Sequence, residues 1–145
     1  MFYRLKNCMA TALALAVCLL FGAFAYAKSS VSLYKTEGQR VFYLHSASSQ
    51  GLMKTELTLC DIPRVRGESV CFGHEQDQKA LVKRIFEEYG AKILFTESVC
   101  GVTSYYGYGA ELGEPIFLGD IAVNLHVAVT ESRCAVGTPI IFGGF

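Results

Sequence analysis

The alternation of apolar and polar positions divides the chain into elements before any chemistry is considered. Residues 121–129 place β-branched side chains or Leu at every odd position, with Asn124 and His126 between them. That period of two predicts a strand with one face on a core and with Asn124 and His126 on the other, exposed face. Residues 39–45 alternate with apolar groups on both sides, the pattern of a well-buried strand. A Ser-rich turn at 46–51 leads to a second alternation, Met53, Thr55, Leu57 and Leu59 against Lys54, Glu56 and Thr58, and the two segments are placed to form a hairpin. Residues 60–71, with Asp61, Pro63, Arg64, Arg66, Gly67 and Glu68, read as an exposed loop.

Only residues 77–89 carry a convincing helical period in the part of the chain after residue 27. Leu81, Val82, Ile85, Phe86 and Tyr89 recur at spacings of three and four, charged residues occupy the other sides, and Gly90 is placed to end the helix. Strands are expected at 91–97 and 101–108, turning near 99–101, and at 116–118 before a Gly119-Asp120 turn. A last strand is expected at 137–142, started or edged by Pro139, and residues 28–38 read as a polar lead-in in which Val31 and Leu33 offer a short edge strand. Together these elements predict an α+β fold: a mostly antiparallel sheet with one face covered by a single main helix. A small β-rich barrel with the helix outside it is the alternative.

Composition changes the picture first at the N-terminus. Arg4 and Lys6 precede an almost wholly apolar stretch, and Ala25-Tyr26-Ala27 carries small residues where a signal peptidase reads. Residues 1–27 are therefore expected to be a signal peptide, with residues 28–145 a single domain; an uncleaved membrane anchor is the alternative. The remaining 118 residues hold 11 basic and 13 acidic side chains, a formal charge of −2 without a basic stripe, which argues against nucleic acid as a partner. Cys60, Cys71, Cys100 and Cys134 form an even set in an exported domain and predict two disulfides. Of the three connectivities, Cys60 to Cys71 and Cys100 to Cys134 are favoured; a zinc site is disfavoured because paired Cys-x-x-Cys spacing is absent.

Catalytic patterns are weak. His45, His74 and His126 share no metal-ligand spacing, no G-x-S-x-G elbow is present, and Glu111 and Glu114 read as an exposed acidic loop. No metal or cofactor is expected. The tyrosines of 105–108 lie beside glycines and can serve either as core or as a shallow platform for peptide or glycan. Tyr105, Tyr106, Asn124 and His126 are the expected ligand-binding residues.

The C-terminal pattern resembles the YwmB family, exported proteins of spore-forming Firmicutes. The resemblance rests on Tyr105-Tyr106-Gly107-Tyr108 following a helix and a strand, on Val123-Asn124-Leu125-His126-Val127-Ala128, and on the ending Val136-Gly137-Thr138-Pro139-Ile140-Ile141; it spans about residues 78–145. It implies a TATA-box-binding-protein-like fold and an extracytoplasmic location linked to sporulation or envelope maintenance, and it transfers no catalytic role. Family members are generally longer, and the four-cysteine set is not a family-wide feature. The expected function is an exported, non-enzymatic binding or structural domain whose partner is an envelope protein or cell-wall component. A small envelope hydrolase acting on peptide or peptidoglycan is the competing expectation.

Overall fold

Asp77 starts the helix that covers the sheet: its carboxylate accepts the Ala80 N–H at 2.9 Å and satisfies one of the donors that a helix start leaves open. The computed structural model, which describes residues 2–28, 33, 35–46 and 52–143, places a helix α1 at Phe2–Lys28 and this second helix, α2, at Gln78–Glu88. Gly90 takes the left-handed conformation, φ 58°, just beyond the end of α2, where a side chain would be strained. The strands are β1 (Gln39–Leu44), β2 (Leu52–Lys54), β3 (Val65–Gly73), β4 (Ala91–Val99), β5 (Val102–Gly109), β6 (Ile116–Leu118), β7 (Ile121–Val123), β8 (Leu125–Val129) and β9 (Arg133–Thr138). Residues from Met1 to Ser30 and from Val31 to Phe145 form separate compact units.

Seven strands make one antiparallel sheet in the order β2-β1-β3-β9-β8-β5-β4, and β6 with β7 forms a separate two-stranded ribbon. One face of the sheet takes α2. Leu81, Val82, Ile85 and Phe86 of the helix, with Tyr89 after it, pack on Val70, Leu125, Val127, Val129, Cys134 and Val136, all buried. The α+β class, the antiparallel sheet and the helical cover with its five-residue apolar stripe are as the alternation predicts.

Four expectations are corrected. Residues 60–71 are not a loop: after a 3-10 turn at Ile62–Arg64 the chain enters β3, a central strand between β1 and β9. Asp61 in that stretch is buried and accepts Lys54 Nζ and the Thr58 hydroxyl and N–H; these bonds, led by that from Lys54, hold its carboxyl far below the usual range. The second strand is only Leu52–Lys54, and residues 55–60 turn away from the sheet. The last strand ends, rather than starts, at Pro139: β9 is Arg133–Thr138 and the tail leaves the ladder. In the lead-in Leu33 is fully buried and lies in no strand, while Val31 falls outside the described residues.

The structure holds neither expected disulfide. Cys18, Cys60, Cys71, Cys100 and Cys134 are free thiols. Val129 of β8 pairs with Cys134 on one side and Thr103 on the other, so Cys134 lies two strand spacings from Thr103, roughly 10 Å. Cys100 sits farther out in the β4–β5 turn, beyond the roughly 7 Å between Cα atoms that a disulfide tolerates. Cys71 and Cys134 occupy adjacent strands, opposite Ala135 and Phe72 respectively, and so point to opposite faces. Burial pushes the Cys134 thiol up to about 12. With a thiol reagent at pH 8, exposed Cys60 and Cys100 should react promptly, and Cys134 at least about a hundredfold more slowly until denaturant is added. Rapid native labelling of Cys134, located by peptide mass mapping, contradicts this packing.

Candidate functional site

The face of the sheet opposite α2 carries the grouping of side chains from which a site can be built. Tyr106 on β5 pairs with Phe95 on β4 and with His126 on β8, so the three share one row on that face. Their rings stack nearly parallel: Phe95 on Tyr106 with centroids 4.5 Å apart and 14° between planes, and Tyr106 on His126 at 4.3 Å and 15°. The row is possible because β4 carries an irregularity between Ile93 and Phe95, which shifts the register so that Lys92, Phe95 and Glu97 all fall on this face.

Next in the row, His126 meets Gly137 of β9, which has no side chain. The tail beyond Thr138 occupies that space. A Cβ on Gly137 would lie 2.7 Å from Ile141 Cγ1, and one on Gly67 would lie 2.9 Å from Pro139 Cδ; only glycine admits the tail at either place. Phe142 then meets the Tyr43 ring edge-on at 5.1 Å, and the Tyr43 hydroxyl bonds the Ser69 hydroxyl at 2.8 Å.

The tail determines the state of His126. The Ile141 N–H donates to Nδ1 at 3.2 Å, so Nδ1 is an acceptor and the neutral ring carries its proton on Nε2. Nε2 is buried and has no hydrogen-bond partner among the described residues. His126 is 8% exposed, and desolvation holds its pKa down at about 4. Neither Glu111 nor Asp120 hydrogen-bonds the ring, and both are exposed. A histidine that is neutral, stacked and bonded to a backbone amide lacks the carboxylate partner of a general base.

The structure brings together two of the four expected ligand-binding residues, Tyr106 and His126, and separates the others. Tyr105 lies on the opposite face, against the core beneath α2. Asn124 is 1% exposed and is not on an outer face. Its Oδ1 accepts the Gly109 N–H at 2.8 Å and its Nδ2 donates to the Gly109 and Gly113 carbonyls at 2.8 and 3.1 Å. The carboxamide thus replaces a backbone peptide beside the end of β5, at the point where the expected single strand 121–129 divides into β7 and β8. His126 is likewise buried rather than exposed. Phe95, Tyr43 and Phe142 were outside the expected set.

Among the described residues no group of three His, Cys, Asp or Glu side chains could hold a metal ion, and no helix is long and apolar enough to cross a membrane. No protein-family model, curated protein or solved structure matches the chain.

Proposed function

We propose that the chain is an exported, non-enzymatic binding or structural domain of the cell envelope, of the YwmB family and with a TATA-box-binding-protein-like arrangement of sheet and helix. The observation that carries the reading is the stacked row Phe95-Tyr106-His126 on the sheet face opposite α2. Phe95 and Tyr106 are half-buried, so each keeps ring area available for an apolar or glycan surface. The exported location is supported by α1, whose apolar side chains Met9, Leu13, Leu15, Leu19, Leu20 and Phe21 are exposed, and by the basic Arg4 and Lys6 ahead of them. The partner is an envelope protein or a cell-wall component, and a sporulation role belongs to the same proposal.

Expression of the full chain followed by fractionation tests this reading. The protein should be recovered outside the cytoplasm with the mass expected for cleavage after Ala27, and should be retained by purified cell-wall sacculi or envelope fragments. Retention should fall about tenfold or more in Phe95→Ala/Tyr106→Ala. An uncleaved cytoplasmic product, or equal retention of a folded double variant, defeats the proposal.

A further inference from the structure

The two edges of the seven-stranded sheet are unequal. β2 is three residues long, and its Lys54 is tied to Asp61 at 2.8 Å. A short edge strand offers little backbone to a second chain. β4 is nine residues long and exposed along most of its length, with Ile93, Leu94 and Val99 at 45%, 46% and 59% exposure. Its outward N–H and C=O groups form a template for another strand.

The face positions of β4 identify the strand that fits. Lys92, Phe95 and Glu97 follow one another on the face opposite α2, against Tyr108, Tyr106 and Ser104 of β5. This order is self-complementary when read antiparallel. A copy of β4 centred on Phe95 sets Phe95 against its equivalent and Lys92 against Glu97, twice by symmetry. The irregularity at Ile93 and Leu94 is accommodated, since two residues there oppose one, Thr96, on the other strand. We infer that β4 pairs edge to edge with β4 of a second copy of this chain, joining the two sheets and making the row His126-Tyr106-Phe95 continuous across the two-fold axis. The same pairing shields the exposed Ile93, Leu94 and Val99.

Charge exchange tests this without touching the core, because Lys92 and Glu97 are both exposed. Sedimentation of the full chain in a mild non-ionic detergent should show a dimer that dissociates on dilution. Lys92→Glu alone or Glu97→Lys alone sets like charges opposite each other twice, and should weaken the dimer on the order of tenfold. Mixing the two single variants should restore a dimer of wild-type strength, as should Lys92→Glu/Glu97→Lys in one chain. Association through the apolar α1 would be indifferent to these substitutions. A wild-type chain that stays monomeric, single variants that dimerise as the wild type does, or a mixture that fails to recover each overturn the pairing.

Discussion

Lowering the pH from 7 to 4 is expected to remove on the order of 3 kcal/mol of folding stability through His126 alone. Its pKa is about 4 in the folded chain against 6.5 for an ordinary histidine, because burial disfavours the imidazolium. Between those values the unfolded chain binds a proton at this position and the folded chain does not. Stability is therefore complete above about pH 6.5, falls as the pH drops through the window, and levels off below about 4. Urea unfolding of the wild type and of His126→Gln at pH 7 and pH 4 isolates this contribution, since the other titrating groups are common to both proteins. The wild type should lose about 3 kcal/mol more than the variant over that range. Parallel losses would mean that the imidazole protonates in place without cost, and that the tail does not seal it from water.

The same burial marks where sequence reasoning worked and where it failed. The helix was legible because its determinants are local: an apolar stripe from Leu81 to Tyr89, Asp77 before it and Gly90 after it. The β4–β5 hairpin was legible for the same reason, with Cys100 and Gly101 both left-handed in its two-residue turn. β3 was missed because Arg66, Gly67 and Glu68 are the composition of a loop. Gly67 is there to admit the tail, and Glu68 is buried because its partners lie 28 and 35 residues earlier. Nothing within a local window reports either fact.

The candidate site was legible in part. Adjacent positions of a strand face opposite ways, so Tyr105 and Tyr106 could not have shared a surface, and that much was present in the alternation. Asn124 and His126 do share a side of the pattern at 121–129, but the prediction that this side meets water failed. At Asn124 the chain leaves one sheet for another and the side chain completes the ladder; at His126 a tail 15 residues later closes over the ring. Phe95 joins the row only through the irregularity after Ile93, a feature that strict alternation does not encode.

The largest single-residue loss is expected at Arg40. Glu68 is 3% exposed and accepts two bonds of 2.7 Å, from Arg40 Nη1 and from the Leu33 N–H. The second guanidinium nitrogen of Arg40 donates to the Leu33 and Thr36 carbonyls, and the Thr36 and Tyr89 hydroxyls bond at 2.5 Å. The described residues of the lead-in, Leu33 and 35–38, which lie in no strand or helix, are thereby fastened to β1, β3 and the end of α2, with Leu33 carried into the core. Arg40→Met preserves much of the apolar stem but strands the Glu68 carboxylate and both carbonyls, at a cost of about 3 to 5 kcal/mol. Removing both charges in Arg40→Met/Glu68→Leu should cost less than Arg40→Met alone, because no buried ion is left unpaired. Equilibrium unfolding in urea at pH 7 gives both values. If Arg40→Met loses less than about 1 kcal/mol, the pair behaves as a solvated surface bridge, and the lead-in is held by Leu33 packing and the Thr36–Tyr89 bond instead.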